Sequence, residues 1–581
     1  MKFLRNLLAS ILGFFIALFL LFVFFFAIAF IVGTEEKIVV KSNSVLELDL
    51  STPIKDYAPK ENNPIAEALE LVDEKLALNK IINAIENAKT DDNIKGISIK
   101  TPSINAGIAQ TQAIRNKIEE FKESGKFVYA YNDIYTQKNY YLSSVADSLF
   151  LNPVGAIDFK GLSTEILYFK DFEDKYGIKM EVIRHGKYKS AVEPFLENEM
   201  SEANREQTSS FLKSIWSEIT DDISKSRNIS VEKLNLIADN SNGRNVTLAK
   251  ENNLIDASIY EDEYEEKLSL GSDKKVNTIS ISDYINSGKG RISSTAKDKI
   301  AVIYAQGEIR YGEGNIDYIG QGIINKAIRK ARKDNNVKAI VLRVNSPGGS
   351  ALASELIWRE LELTKKEKPL VVSMGNLAAS GGYYIACNAN KIIAEPTTIT
   401  GSIGVFGAIP NFNQFTSNIG INAEQVSTNS SASYSVFEPM NQKFYEVTKE
   451  GVEQIYTTFV NRVSNGRNMT FEQVNEIAQG RVWTGKEAIE KGLVDQLGGL
   501  NDAIKVAAEL AELENYRVRN YPHYKTDLKD ALQMNPFMKA SKEEILKEAL
   551  GNENYQLYHN LQKIKDVKGI QARIPFIFQI K

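Results

Sequence analysis

The chain contains two copies of one long segment, and this repeat limits the possible folds more than any other feature. Residues 91–97 (DDNIKGI) correspond to residues 334–340 (DNNVKAI), and the same offset of 243 positions then holds without a gap as far as 140–142 and 383–385. A chain of 581 residues is too long for one hydrophobic core. The repeat therefore divides most of it into two large, similar units.

Each copy predicts strands that alternate with helices. An apolar strand is followed by a helix with apolar residues at i, i+3, i+4 and i+7, and then by a strand, a second helix and a third strand. The helical positions are Ile81, Ala84, Ile85 and Ala88 in the first copy and Ile324, Ala327, Ile328 and Ala331 in the second. This order is typical of parallel βαβ units and predicts an α/β fold built as a tandem duplication. We place the copies at 45–279 and 300–514, joined by a polar, glycine-bearing linker at 280–299.

The two ends of the chain differ in character. Residues 7–33 contain no charged residue and follow Lys2 and Arg5. This stretch is long enough to cross a lipid bilayer, and positive residues stay on the cytoplasmic side, so residues 1–6 are expected in the cytoplasm. The body is then extracytoplasmic, which in a bacterium means periplasmic. The C-terminal extension, 515–581, has a predicted amphipathic helix at 541–550 and no readable role.

Composition argues against several classes of function. The formal net charge of −4 gives no general attraction to nucleic acid. The single cysteine, Cys387, cannot form a disulfide within the chain, and the three histidines lack metal-ligand spacing. We therefore expect no metal, no cofactor and no nucleic-acid partner.

Ser380 is the candidate nucleophile. It follows a predicted strand and precedes a predicted helix at 381–388, whose amino terminus supplies free amides and a positive dipole. A serine there also fits an ordinary helix cap. The first copy has Gln137 at the matched position and so keeps the turn without the hydroxyl. This difference favours a chemical role for Ser380.

A serine hydroxyl is a weak nucleophile and needs a base. Among the histidines only His185 is a plausible base, but a lysine can serve when burial lowers its pKa from about 10.4 toward 7–8. Residues 188–194 (YKSAVEP) match residues 433–439 (SYSVFEP) and keep a lysine only in the copy that lacks the serine. Lys189 is therefore the candidate base, with Lys187 as its close competitor.

Two further segments carry candidate residues. Ser402, within 400–404 (TGSIG), offers a hydroxyl that would orient the lysine amine. Residues 345–350 (NSPGGS) follow a strand, and their paired glycines let backbone amides point outward to hold an oxyanion. A plain strand-to-helix turn is the alternative. The first copy has lost both glycines, at 102–106 (PSINA).

These segments together resemble the long, duplicated form of the signal peptide peptidase A family, also called protease IV. The similarity runs from the apolar N-terminal segment to about residue 514. It implies that Ser380 is the nucleophile, Lys189 the general base and Ser402 the residue that orients the lysine. It also implies backbone amides of Gly349 and Gly381 as oxyanion donors.

The resemblance further implies a fold like that of Clp proteases and crotonases, a spiral of ββα units. It implies a homotetramer, anchored in the bilayer through residues 7–33, that degrades cleaved signal peptides and other apolar peptides on the extracytoplasmic side. A crotonase-like enzyme acting on acyl-CoA is an alternative, although an extracytoplasmic body argues against it. A non-catalytic membrane scaffold is another, although the second copy has kept its polar residues.

Overall fold

The computed structural model describes residues 2–33, 38–59, 75–269, 276–429, 434–524 and 570–573. Contacts divide the chain into two units, and the N-terminal helix α1 (Lys2–Gly33) and the α/β body belong to different ones. Within α1, the segment Arg5–Phe24 has a mean hydropathy of 2.9. By length and composition it is the one helix among the described residues that fits a membrane span.

The first copy forms a six-stranded sheet in which all neighbouring strands are parallel. In sheet order its strands are β8 (Ala257–Ser258), β6 (Ser148–Ile157), β5 (Phe127–Tyr135), β4 (Ile94–Ile99), β1 (Ser44–Leu48) and β9 (Asn277–Ser280). A separate parallel pair is formed by β2 (Ile54–Lys55) and β3 (Leu76–Ala77). The helices are α2 (Leu78–Thr90), α3 (Ile108–Lys122), α4 (Gln137–Ser143), α5 (Lys170–Tyr176), α6 (Glu202–Arg227), α7 (Val231–Asp239), α8 (Val246–Glu251) and α9 (Glu261–Leu268). The segment predicted as a linker begins with α10 (Ile281–Tyr284) and a π-helical turn, Ile285–Lys289.

The second copy forms an eight-stranded sheet. Its main path is β19 (Val482–Thr484), β17 (Ile399–Gly401), β15 (Leu370–Ala379), β13 (Val337–Ser346), β10 (Lys299–Gln306) and β21 (Arg517–Tyr521), with β16 (Lys391–Ala394) beside β15 and β20 (Gln496–Leu497) beside β16. Neighbouring strands are parallel except for the antiparallel pair β17 and β19. The helices are α11 (Gln321–Lys333), α12 (Ala351–Lys365), α13 (Gly381–Ala386), α14 (Asn413–Asn418), α15 (Gln442–Arg467), α16 (Phe471–Ile477), α17 (Gly485–Glu490) and α18 (Leu500–Leu510). Strand β21 thus extends this sheet past residue 514.

Matched helices in the two copies have equal lengths. Helices α2 and α11 each have 13 residues, α3 and α12 have 15, and α6 and α15 have 26. The apolar positions predicted for α2 and α11 are all buried against the sheets, as strand-covering helices require. The predicted α/β fold, a tandem duplication behind an N-terminal apolar helix, is confirmed. The helix predicted at 541–550 lies outside the described residues.

A third sheet contains strands from both copies. Its order is β12 (Tyr318–Gly320), β11 (Glu308–Arg310), β14 (Gly348–Ser350), β22 (Ile570–Arg573), β18 (Val405–Asn411) and β7 (Lys179–His185). Strand β7 of the first copy pairs antiparallel with β18 of the second along its whole length, from Lys179 opposite Asn411 to His185 opposite Val405. This pairing carries the chain that follows β7 into the second copy.

Buried polar contacts fix the two copies against each other. Arg343 Nε lies 3.1 Å from Asp56 Oδ2, and both side chains are almost fully buried. The backbone amide of Gln110 donates to Asn376 Oδ1 at 3.0 Å. An unpaired buried charge costs several kcal/mol, so these contacts strongly favour one placement of the copies.

Candidate active site

Ser380 lies in the sharp turn between β15 and α13. Its backbone has φ 55° and ψ −116°, a region that residues other than glycine rarely adopt. The turn is held by the amide of Ser380 donating to the Gly401 carbonyl and by the amide of Tyr384 donating to the Ser380 carbonyl, both at 2.8 Å. Its side chain is fully buried. A strained strand-to-helix turn of this kind presents a side chain at the carboxyl edge of a sheet.

The Lys189 side chain extends from the first copy into this turn. Its Nζ lies 2.9 Å from Ser380 Oγ, 3.1 Å from Ser402 Oγ and 3.2 Å from the Ser402 carbonyl oxygen. The residue is fully buried, and burial lowers the pKa of Lys189 well below its ordinary value because the charged amine would lose its hydration. The amine is thus biased toward its neutral, basic form beside a serine hydroxyl.

Ser402 directs the amine. Its Oγ donates to the Gly480 carbonyl at 3.2 Å, which leaves an oxygen lone pair free to accept from Lys189 Nζ at 3.1 Å. The Ser402 backbone, with φ 49°, is fixed by its amide donating to the Arg481 carbonyl at 2.6 Å. Because both N–H groups of a neutral Lys189 are engaged, one by the Ser402 Oγ and one by the Ser402 carbonyl oxygen, its lone pair is directed toward Ser380.

Two contacts that sequence reasoning did not assign to the site hold the lysine backbone. Gly480 has φ +81°, and a Cβ there would lie within 2.8 Å of the backbone nitrogen and Cα of Lys189. Gln207 Nε2, on α6, donates to the Tyr188 carbonyl at 3.0 Å and to Ser190 Oγ at 2.9 Å. Gly480 aligns with Gly243 in the repeat, so the sequence alone could have drawn attention to Gly480. No sequence pattern pointed to Gln207.

The competing bases have other contacts. The Lys187 side chain is exposed, with its Nζ 5.1 Å from the centre of the Tyr188 ring. His185 Nδ1 lies 2.6 Å from Glu453 Oε2, and its ring stacks on Tyr456 with centroids 3.7 Å apart. The structure brings Lys189, rather than these residues, to the serine hydroxyl.

The predicted oxyanion glycines lie on two adjoining turns. Gly349, in β14, has φ +150°, and a Cβ there would lie 2.0 Å from the Ile309 carbonyl oxygen, so the strand requires glycine. A Cβ at Gly382 would lie 2.8 Å from the Ser346 carbonyl oxygen, so the first turn of α13 packs on the end of β13. The amide of Gly381, directly after Ser380, therefore lies close to the turn that carries Gly349.

The matched turn of the first copy is filled by side chains. Gln137, the counterpart of Ser380, accepts from the amides of Lys160 and Gly161 at 2.9 and 2.8 Å and donates to the Gly161 carbonyl at 2.9 Å. Lys138, the counterpart of Gly381, donates to the Ala106 carbonyl at 2.6 Å. Ala106 itself occupies the position of Gly349.

Comparison with known proteins identifies the family of the chain. Peptidase family S49 matches residues 120–301 and 362–514. Protease 4 of Haemophilus influenzae is 39% identical over 76% of this chain and 74% of its own length, and Protease 4 of Salmonella typhi is 39% identical over 76% and 73%. Serine protease SPPA, chloroplastic, of Arabidopsis thaliana is 34% identical over 82% of this chain and 70% of its own length.

Among solved structures, a ClpP1 mutant of Listeria monocytogenes covers 35% of this chain and 94% of its own. Its sequence identity to this chain is 15% and the TM-score is 0.25. The family match and these three relatives carry the assignment. The chain belongs to peptidase family S49 and is a serine protease.

Proposed function

We propose that this protease cleaves peptide bonds with a Ser380–Lys189 pair in which Ser402 orients the lysine. The observation that carries the proposal is the 2.9 Å contact between Lys189 Nζ and Ser380 Oγ in a fully buried setting. A buried amine with a lowered pKa is neutral at a lower pH than an ordinary lysine and can accept a proton, and the neighbouring hydroxyl is the group that must lose one.

The reaction follows from these positions. Lys189 takes the Ser380 proton as Oγ attacks the carbonyl carbon of the scissile bond, and the carbonyl oxygen becomes an oxyanion. The backbone amides of Gly349 and Gly381 stabilise that charge. The protonated lysine then gives its proton to the leaving amine, which leaves an acyl-enzyme ester on Ser380. Neutral Lys189 next activates a water molecule that hydrolyses the ester.

Apolar peptides, including cleaved signal peptides, are the proposed substrates. The apolar helix α1 supports this, since anchoring through residues 7–33 would hold the protease where such peptides are released. Lys2 and Arg5 favour a cytoplasmic start at 1–6, with the copies at 45–279 and 300–514 and the extension at 515–581 on the extracytoplasmic side, in bacteria the periplasm.

A homotetramer is the proposed assembly, and the repeat supports it. Strands β7 and β18 pair across the copies, but the segments at the same offset do not form strands. Residues 422–428, matched to β7, are all exposed, and residues 162–168, matched to β18, are alternately half-buried and exposed. A neighbouring chain can supply a strand partner to each of these segments, because β pairing across an open edge joins successive copies. Val426→Pro should then lower the molar mass measured by light scattering in detergent.

The catalytic proposal is tested by hydrolysis of a leucine-rich fluorogenic peptide by the detergent-solubilised chain. Ser380→Ala and Lys189→Ala should lose hydrolysis, while Lys187→Ala, a matched change two residues away, should keep it. Full activity in Ser380→Ala would contradict the proposed mechanism. Activity in Lys189→Ala together with loss in Lys187→Ala would show that the base is misassigned.

The alternative functions have less support. Membership of a peptidase family argues against a crotonase-like acyl-CoA enzyme. The polar contacts between Lys189, Ser380 and Ser402 argue against a non-catalytic scaffold, because a buried lysine without a chemical role is a costly feature to retain.

A further inference from the structure

Arg481 belongs to the second copy, yet its side chain contacts the residue that precedes the candidate base. Its Nη1 donates to Tyr188 Oη at 3.2 Å and to Glu206 Oε1, on α6, at 2.7 Å. Tyr188 Oη in turn donates to Glu206 Oε2 at 3.0 Å. The three side chains therefore form a closed set of hydrogen bonds across the boundary between the copies.

The Arg481 guanidinium also packs on two aromatic rings. Its Cζ lies 4.8 Å from the centre of the Tyr188 ring and 4.4 Å from the centre of the Trp483 ring. The Arg481 side chain is only 18% exposed. A planar guanidinium that stacks on rings and binds a carboxylate keeps one orientation, because both kinds of contact depend on its plane. Arg481 therefore leaves Tyr188 little freedom to move.

The Arg481 backbone is fixed on the side of the nucleophile. Its carbonyl accepts from the Ser402 amide at 2.6 Å, and the chain directly after it forms β19, which pairs with β17. The last carbonyl of β17 accepts from the Ser380 amide at 2.8 Å. Arg481 thus connects the turns of both serines, through its backbone, to the segment that carries Lys189, through its side chain.

We propose that Arg481 is a positioning residue for the reaction, and that it holds Tyr188, and with it Lys189, where the amine can take the Ser380 proton. The 2.9 Å contact between Lys189 Nζ and Ser380 Oγ joins atoms from different copies, and a misplacement of about 1 Å can greatly slow a reaction of this kind. This inference rests on the proposed function, because it takes Lys189 as the base.

The matched arginine of the first copy has different contacts. Arg244 aligns with Arg481 in the repeat and is exposed. Its Nη1 donates to the carbonyls of Asn240 and Ser241 at 3.0 and 3.3 Å and to Asn242 Oδ1 at 3.3 Å. These hydrogen bonds stay within its own turn. The arginine that connects the copies is thus the one beside the candidate serine and lysine.

The ion pair of Arg481 with Glu206 is suited to positioning more than to stability. The Glu206 side chain is 51% exposed, and an ion pair this exposed contributes little to folding. Hydrogen bonds from Arg481 lower the pKa of Glu206, so the pair keeps its charges at neutral and alkaline pH. Lys187, the other cation near the Tyr188 ring, is exposed, with its Nζ 5.1 Å from the ring centre. Loss of the Arg481 side chain should therefore displace the base without unfolding the chain.

Arg481→Ala tests this in the full, detergent-solubilised chain with the leucine-rich fluorogenic peptide. It should lower kcat about tenfold at pH 7 and change KM less than about twofold, because the base moves while substrate binding is kept. A loosened lysine segment admits water, which favours the charged amine and raises its pKa. The acid limb of kcat/KM should therefore move to higher pH by about one unit. Arg244→Ala, the matched change in the first copy, should keep the natural kcat and pH profile.

Tyr188→Phe is a milder variant that keeps the ring and removes only the hydroxyl. It should lower kcat about threefold, and adding it to Arg481→Ala should cause no further loss, because the two side chains act through one contact. A natural kcat and pH profile in Arg481→Ala would overturn the inference. A raised KM with natural kcat would place Arg481 in substrate binding instead, and losses that multiply in the double variant would show that the two residues act independently.

Hydrogen exchange gives a measurement that does not depend on proteolysis. The Tyr188 amide donates to the Gln479 carbonyl at 2.8 Å, so its exchange should be slow in the Ser380→Ala chain and about tenfold faster when Arg481→Ala is added. If exchange responds in this way but Ser380→Ala and Lys189→Ala still hydrolyse peptides, the proposed function fails while the contact between the copies stands. If hydrolysis requires Ser380 and Lys189 but neither exchange nor the pH profile responds to Arg481→Ala, the positioning role is wrong and the protease mechanism stands.

Discussion

The turn after β15 in the second copy and the turn after β5 in the first occupy equivalent positions in their sheets. The side chains in the two turns differ. One holds Ser380 in contact with a buried lysine amine. The other holds Gln137, whose amide group bonds the backbone of Lys160 and Gly161, beside a lysine that caps a carbonyl. The fold alone therefore does not make an active site, because the same turn is stable when side chains close it.

The two copies also differ in the segment that follows each turn. Strand β7 of the first copy pairs with β18 of the second and delivers Lys189 to Ser380. The matched residues 422–428 of the second copy form no strand, and Lys189 is replaced at the matched position by Tyr434. The first copy therefore holds the proposed base and lacks the proposed nucleophile, and the second copy holds the reverse.

The largest effect is expected from exchanging the two matched residues. The double variant Gln137→Ser with Ser380→Gln should lose kcat/KM by about 10⁴-fold or more, because the lysine beside the new serine, Lys138, is engaged with the Ala106 carbonyl. Peptide hydrolysis with purified protein measures this. Recovery of activity by Gln137→Ser in a Ser380→Ala chain would show that the two turns are equivalent.

Arginine at position 189 should be nearly as damaging. A guanidinium stays protonated, so Lys189→Arg should lower kcat/KM about 10³-fold at every pH. In the natural chain, burial lowers the pKa of Lys189, so activity should fall as the pH drops through that lowered pKa and rise on the alkaline side. Lys187→Arg should keep the natural profile, and a natural profile that is flat from pH 6 to 9 would count against a lysine base.

Because Lys189 is buried, replacing its amine by an apolar group should stabilise the folded chain. Because the pKa of Lys189 is lower in the folded chain than in the unfolded one, the folded chain binds fewer protons between the two pKa values, and stability falls as the pH drops through that window. Lys189→Met should be inactive yet melt at a higher temperature at neutral pH, by about 2–4 °C for each kcal/mol gained. Lys187→Met, on the surface, should melt like the natural chain.

A smaller loss of kcat/KM is expected from a methyl group added at position 480, next to the backbone of Lys189. Gly480→Ala places a Cβ within 2.8 Å of the Lys189 backbone at a positive φ, so the amine should shift and kcat/KM should fall about 10²-fold. Gly243→Ala, the matched change in the first copy, meets the Ile157 carbonyl oxygen at 2.6 Å and should leave kcat/KM within about threefold. Equal losses in both variants would point to general destabilisation instead of a displaced base.

The smallest effect on catalysis is expected at Gln137. Gln137→Ala removes three hydrogen bonds to residues 160 and 161 and should cost about 1–3 kcal/mol of unfolding free energy. Its kcat/KM should change less than about twofold, since the site of the second copy is intact. Denaturant unfolding and peptide hydrolysis measure the two quantities, and a tenfold loss of kcat would mean that the first turn contributes to catalysis.

Much of the fold and of the candidate site could be predicted from the sequence, because the two copies of the repeat can be compared with each other. The helical periodicity in α2 and α11 predicted positions that are buried, since one apolar stripe must cover a sheet. Ser380 and Lys189 stood out by their loss in the opposite copy. Gln207 did not stand out, because a polar residue on a helix carries no signal until its partner, the Tyr188 carbonyl, is known. Residues 570–573 also gave no strand pattern.

The sequence by itself determined the duplication, the α/β class, the apolar N-terminal helix and the chemical types at the two turns. The duplication follows from an offset of 243 positions, and the other features follow from periodicity and residue chemistry, which act over a few neighbouring positions. Only the tertiary structure decided that Lys189 and Ser380, 191 positions apart, meet within one chain, and that β22 lies beside Gly349. Strand pairing uses backbone groups that every residue has, so the choice of partner depends on which edges the packed copies leave open.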